Sequence, residues 1–253
     1  MKQTPVVLIH GAWFHRSSWE SWAERFTAYG YAVCVPDWPG EAPTADQVRR
    51  DPGPLRDLGL AALTAHYERI VRSFDNPPVL IGHSAGGLIA QRLLGAGLGR
   101  AAVALAPLPA GSTRHLSFEP LSRTWFRHVV SNAVGEEEAA KLYDRYAVPA
   151  PLRLLTDLGR DRTAAGSADT VVDTADSARG PLLLVSGQED RMVPDAVTRS
   201  AYKLYGDSSA VTDLKQFADR GHSLVFDSGW RPVADHVLAW LAANGIEAAD
   251  AQG

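Results

Sequence analysis

The stretch Val79-Leu80-Ile81-Gly82-His83-Ser84-Ala85-Gly86-Gly87 sets one serine among glycines, directly after an apolar run. Such a run reads as a buried strand, and the residues that follow Ser84 continue with helical period. Residues 82–86 fit G-x-S-x-G, a strand-to-helix turn so sharp that the central hydroxyl stands clear of the sheet. Small neighbours are required there, because the serine sits in a sparsely populated backbone region and a nearby side chain would clash. Taken alone, five residues with three fixed describe an ordinary turn equally well. The flanking chain decides.

Working outward, short apolar runs alternate with helical periods. Strands are predicted at 5–9 (PVVLI), 31–35 (YAVCV), 78–82 (PVLIG), 101–107 (AAVALAP), 181–187 (PLLLVSG) and 211–217 (VTDLKQF). Between the first two lies a helix carrying Trp19, Trp22, Ala23 and Phe26, with Ser17 or Ser18 to cap it and Gly30 to end it. The stretch after the second strand is rich in Pro and Gly and reads as a loop, followed by a helix near 57–74. Further helices are predicted after Ser84, near 194–205 and near 231–243. This alternation implies an α/β fold: a mostly parallel, doubly wound sheet of about six strands, with right-handed crossovers and helices on both faces. The stretch 108–180 breaks the rhythm, since LSRTWFRHVVSNAV and EEEAAKLYDRYAV have helical period and no strand is evident. The expected division is a core of 1–107 and 181–253 with a helical cap inserted at 108–180.

Composition narrows the function. The 253 residues are 45% hydrophobic, enough for one sizeable core. A net charge of -4 without a basic block argues against nucleic acid or an anionic membrane surface as partner. The apolar stretch in MKQTPVVLIHGAW is too short for a signal peptide or a membrane span, so a cytoplasmic protein is expected. The single cysteine, Cys34, allows no internal disulfide, and its place in YAVCVP reads as a packed core thiol. The end, NGIEAADAQG, reads as a frayed tail.

In open α/β sheets ligands sit beyond the carboxyl ends of the strands. There the sequence places His10-Gly11-Ala12-Trp13 after the first strand, Ser84 after the third, Glu189 and Asp190 after the fifth, and His222 after the sixth. A nucleophile, an acid and a base thus fall at strand ends in the order Ser, Asp, His. A serine hydroxyl is a poor nucleophile until a base takes its proton, and histidine suits that task near neutral pH. An acid holds the imidazole in the right tautomer, and two N–H donors must meet the negative charge that develops on a carbonyl oxygen. The residue after the serine, Ala85, supplies one donor. Four acids compete for the third role: Asp190, Glu189, Asp195 and Asp219.

These residues carry a resemblance to the α/β-hydrolase fold superfamily over nearly the whole chain, from Val6 to Trp240. It rests on His10-Gly11, Asp37-Trp38-Pro39-Gly40, Gly82 to Gly86, Gly187 with Asp190 and Val193-Pro194, and Gly221-His222. The small helical cap is similar to the branch of plant methyl esterases and hydroxynitrile lyases. The resemblance implies Ser84, His222 and Asp190 as catalytic residues, and Ala12 as the second oxyanion donor beside Ala85. It also implies hydrolysis of an ester, thioester or lactone of a small-molecule substrate, with no cofactor and no metal. Epoxide hydrolases and haloalkane dehalogenases of this fold carry aspartate where Ser84 stands. Hydroxynitrile lyases carry lysine where this chain has Ser223. Perhydrolases, carbon–carbon hydrolases and cofactor-free oxygenases use the same three residues, and a ligand receptor that retains the triad is a rival of another class.

Around the site, Trp13, Phe14 and His15 read equally as loop packing or pocket wall. Trp125, Phe126, Tyr143 and Tyr146 lie at helical spacing in the cap, as cap core or as substrate contacts. His10 and His83 read as supports of their loops. His236 reads as a surface or packing residue, and His66, His115 and His128 carry no signal. No pair has metal-ligand spacing. Neither substrate group nor oligomeric state is legible.

Overall fold

A computed structural model describes residues 3–108, 122–159 and 171–249. Six strands, β1 (Pro5–Ile9), β2 (Ala32–Cys34), β3 (Val79–His83), β4 (Ala101–Leu105), β5 (Leu182–Gly187) and β6 (Thr212–Phe217), form one sheet. Its order is β2-β1-β3-β4-β5-β6, and every pair is parallel. The four inner strands are buried at every residue, which is why each is a continuous apolar run and not an alternating one. The outer strands β2 and β6 are half-buried. Cys34 therefore lies on an edge strand, half-buried and not in the core as expected, and burial raises its thiol pKa.

Helices occupy the connections: α1 (Glu20–Ala28), α2 (Ala45–Arg50), α3 (Leu60–Arg72), α4 (Ala85–Gly95), α5 (Arg123–Trp125), α6 (Glu136–Tyr146), α7 (Leu152–Leu158), α8 (Asp195–Lys203) and α9 (Trp230–Ala243). The predicted alternation holds, with local differences. Before α1 runs a single 3-10 turn, Arg16–Trp19, whose cap is the His15 side chain accepting from Ser17 N at 3.2 Å, so neither Ser17 nor Ser18 is the capping side chain. Gly30 ends the helix in the left-handed region, at φ 93°. The Pro/Gly-rich loop contains α2, started by a capping box in which Thr44 and Gln47 satisfy each other's backbone N–H. The helix α7 was not legible by period either. It carries Asp157, which accepts from Leu60 N at 3.1 Å and so caps α3 from across the fold.

Of the stretch 108–180 expected as a cap, residues 108, 122–159 and 171–180 are described, and the rest, with His115, lies outside the described residues. The described part holds α5, a π turn at Phe126–Val130, α6 and α7. Backbone bonds stitch it to the loop after β1: His15 N donates to Tyr146 O and Val148 N to Trp13 O, both at 2.9 Å. The tail expected to fray is tied down as far as Ala249. Thr4 N donates to Ala248 O, Tyr31 OH donates to Ile246 O, and Ile246 itself is buried. Residues 250–253 lie outside the described residues.

Core burial also positions the site. Trp19, Trp22 and Phe26 are fully buried, with Trp22 stacked on Phe26 at 5.8 Å. Trp22 Nε1 donates to Val225 O at 2.8 Å, which ties α1 to the loop after β6. Truncating such a residue to alanine costs about 3–5 kcal/mol.

Candidate active site

Ser84 ends β3 and caps α4 at φ 56°, ψ -117°, a conformation few residues other than glycine adopt. Its N–H donates to Leu105 O at 2.9 Å, and its carbonyl accepts from Gly87, Leu88 and Leu108, so both neighbouring elements hold the strain in place. The flanking glycines are dictated by space. A Cβ on Gly82 would lie 2.1 Å from Gly86 O, and one on Gly86 would lie 2.1 Å from Ile9 O. Only hydrogens fit where helix and strand approach this closely. Ser84 is fully buried, and among the described residues its Oγ has no hydrogen-bond partner.

His222, in the loop after β6, is also fully buried. Its Nδ1 bonds Asp190 Oδ2 at 2.8 Å, and both side chains are 0% exposed. Asp190 Oδ1 accepts from Met192 N and Val193 N, each at 2.8 Å. The carboxylate is thus fully engaged and acts as a fixed acceptor, so Nδ1 carries the proton and Nε2 keeps its lone pair. Among the described residues Nε2 has no partner. Of the four competing acids only Asp190 reaches His222. Glu189 is exposed and is tied down through its backbone, to Arg220 O and Asn132 Nδ2. Asp195 binds Ser186 and Gln216, and Asp219 pairs with Arg220 on the surface.

The serine loop and the histidine loop are joined through His83. Its ring lies 4.7 Å from that of His222, and its Nε2 donates to the His222 carbonyl at 2.9 Å. Burial, reinforced by the neighbouring His222, pushes the His83 imidazole well below the usual histidine range, so it stays neutral. A second support, not read from the sequence, is Asp227. It accepts from Ser223 Oγ at 2.8 Å and from Gly229 N at 2.9 Å, bracing the turn that carries His222. Burial raises its carboxyl pKa.

Ala12 and Ala85, the two expected oxyanion donors, are both buried. Ala85 opens α4, where the first N–H groups of a helix have no intrahelical acceptor. The loop carrying Ala12 passes close to Ser84, since a Cβ on Gly11 would stand 2.9 Å from Ser84 Cβ. Aromatic residues link the loop after β1 to the insertion through tilted and edge-on contacts. Phe14 lies 6.0 Å from His222 and 6.3 Å from Phe126, and Phe126 meets Tyr143 edge-on at 5.4 Å. Trp13 packs against Trp125 at 5.3 Å, both buried. Tyr143 is half-buried and also lines an open depression of about 410 Å³ with Arg123, Arg127 and His128. Among the described residues no three of His, Cys, Asp and Glu converge as a metal site, and no helix is long and apolar enough to cross a membrane.

A crossover-linked parallel sheet with a serine elbow and a buried His–Asp pair at its strand ends defines a class, and the similarities agree. The profile of the alpha/beta hydrolase family matches residues 6–236, so the chain belongs to that family. Phospholipase YtpA of Bacillus subtilis (strain 168) is 33% identical over 87 residues, a match spanning 34% of this chain and only 32% of that protein's length. The fold is shared with a monoacylglycerol lipase from Paleococcus ferrophilus, at TM-score 0.70 and 20% identity over 95% of this chain and 94% of that one. It is shared too with a methylesterase from Arabidopsis, at TM-score 0.64 and 16% identity over 95% of this chain and 99% of that one.

Proposed function

We infer that the chain is a serine hydrolase that cleaves a carboxylic ester, thioester or lactone of a small, largely apolar substrate through an acyl-enzyme on Ser84. One observation carries the reading: a strained, buried serine, without a hydrogen-bond partner among the described residues, directly follows His83, whose ring lies 4.7 Å from that of a buried histidine locked at Nδ1 by Asp190. His222 Nε2 takes the Ser84 proton as Oγ bonds to the carbonyl carbon. Charge moves to the carbonyl oxygen, where the Ala12 and Ala85 N–H groups receive it. Collapse of this intermediate breaks the bond to the leaving alcohol or thiol, which takes the proton from His222. Water then repeats the sequence against the acyl-enzyme, giving its proton to His222 and releasing the acid and a free Ser84. Asp190 stabilises the imidazolium at each stage without taking its proton. The row of aromatic residues from Phe14 to Tyr143 beside the His222 loop supports an apolar substrate, and the mechanism needs no cofactor. A cytoplasmic enzyme, free of nucleic acid and membrane partners, accords with the modest acidic charge and single free thiol.

A fluorophosphonate probe should modify the wild type on the Ser84 peptide and leave Ser84→Ala unlabelled, while the wild type turns over p-nitrophenyl acetate. Labelling at another serine with esterase activity intact in the variant would overturn the reading. Labelling without turnover would favour a triad-bearing receptor.

A further inference from the structure

The loops after β1 and β2 meet in a buried polar cluster that the chemistry above does not use. His10 is 1% exposed, and its ring stacks on Trp38 with centroids 4.2 Å apart and 25° between planes. Its Nδ1 lies 3.1 Å from the Gly11 carbonyl oxygen, which can only accept, so Nδ1 carries a proton. Its Nε2 lies 3.5 Å from Glu41 Oε2, a charge contact and not a hydrogen bond, and it has no hydrogen-bond partner among the described residues; the Glu41 side chain is itself 1% exposed. A carboxylate also only accepts, so a favourable contact requires a proton on Nε2 as well. Both nitrogens are protonated only in the imidazolium.

The surroundings are consistent with a retained charge at Glu41. Oε2 accepts from Trp38 N at 3.3 Å, and nearby His15 Nε2 donates to Ala42 O at 3.1 Å. Tyr67 and His83 are the remaining titratable groups close by, and Arg16 is paired with Asp37 at the rim. Burial works to raise the Glu41 carboxyl pKa, but His10 and the Trp38 N–H draw it below the ordinary carboxylate range.

The Gly11 carbonyl that His10 holds belongs to the same peptide unit as the Ala12 N–H. In a trans peptide the two point in opposite directions, so anchoring one aims the other. We propose that Glu41 is a positioning residue for the Ala12 donor. It keeps the His10 ring doubly protonated and in place, His10 fixes the Gly11–Ala12 peptide, and the Ala12 N–H stays aimed at the oxygen beside Ser84. Its catalytic consequence rests on the ester-cleavage reading.

Two measurements test this separately. In ¹⁵N-histidine-labelled wild type at pH 7, both His10 ring nitrogens should show imidazolium shifts, and in Glu41→Gln only Nδ1 should remain protonated. A singly protonated His10 in the wild type overturns the proposal, with no variant or activity needed. In kinetics on p-nitrophenyl acetate, Glu41→Gln should lower kcat by about 10- to 100-fold with KM within about twofold, less than outright loss of an oxyanion donor. The double variant His10→Asn/Glu41→Gln should be no slower than His10→Asn alone. Unchanged kcat in a folded Glu41→Gln protein, or independent losses that multiply in the double variant, would also overturn it. Absence of both turnover and Ser84 labelling in the wild type is failure of the ester reading. The ring-nitrogen result stands apart from it and by itself supports or overturns the Glu41–His10 pair.

Discussion

At Asp190 the two carboxylate oxygens do different work, and this makes the residue unusually sensitive to an isosteric change. Oδ1 is committed to two backbone N–H groups and Oδ2 to His222 Nδ1. In Asp190→Asn the amide oxygen must keep the backbone donors, which turns the NH2 toward His222. Nδ1 then becomes an acceptor, the proton moves to Nε2, and the base can no longer receive the Ser84 proton. A kcat loss of about 10² to 10⁴ is expected, while Glu189→Gln, exposed and held by its backbone, should lose less than about tenfold. Steady-state kinetics on an activated ester, with circular dichroism as the folding control, decides between them. The reverse ranking would assign the acid to Glu189.

Among the elements, the contact of α4 with β1 and β3 sets how sharply the elbow can turn. A methyl group at Gly86 would stand 2.1 Å from the Ile9 carbonyl, whereas one at Gly135, the N-cap of α6, meets nothing within 4 Å. Gly86→Ala should therefore cost about 3 kcal/mol or more, or prevent folding, while Gly135→Ala, which removes a good N-cap residue without a clash, should cost about 1 kcal/mol or less. Thermal unfolding of the two variants measures the difference. The insertion acts at the same scale. It reaches both site loops, Asn132 Nδ2 bonding Glu189 O at 2.8 Å and Val130 O accepting from Ser223 N at 3.0 Å. If this insertion sets substrate size, Trp125→Ala and Tyr143→Ala will shift relative kcat/KM across acyl lengths and leave the pH profile unchanged. Equal losses on every ester would count against that role.

For the whole molecule, buried histidines set the response to acid. Burial lowers the pKa of His83 strongly, and of His15, His66 and His236 as well. A histidine whose folded pKa lies below its unfolded value of about 6.5 binds fewer protons in the folded state, so stability rises with pH below that value. Their contribution is fully present above about pH 6.5 and is lost as pH falls toward the folded values. Asp227, raised by burial, works in the opposite direction on acidification. The urea midpoint should fall steadily from pH 7 to pH 5, and less steeply in His83→Gln. A midpoint that rises over this range would refute the assignment of these histidines as neutral in the fold.

The sequence by itself determined the six strands, the elbow and the strand ends at which Asp190 and His222 stand. Continuous apolar runs such as Val79 to Ile81 and punctuating glycines are local properties, dictated by what a doubly buried strand and a sharp turn can tolerate. It did not separate Asp190 from its three competitors on residue type alone, because all four are carboxylates close to a strand end. The family resemblance singled out Asp190, and the folded loop, with Met192 N and Val193 N on one oxygen and His222 on the other, supplies the physical distinction. Glu41 was illegible for the same reason. An acid in a Pro/Gly-rich loop reads as solvated, and it became a buried partner of His10 only when the loops after β1 and β2 closed on each other. Cys34 was misplaced because an apolar run does not say which strand lies at the edge of the sheet. Edge position, burial and the choice among equivalent acids depend on contacts between distant segments, and those exist only once the sheet is assembled.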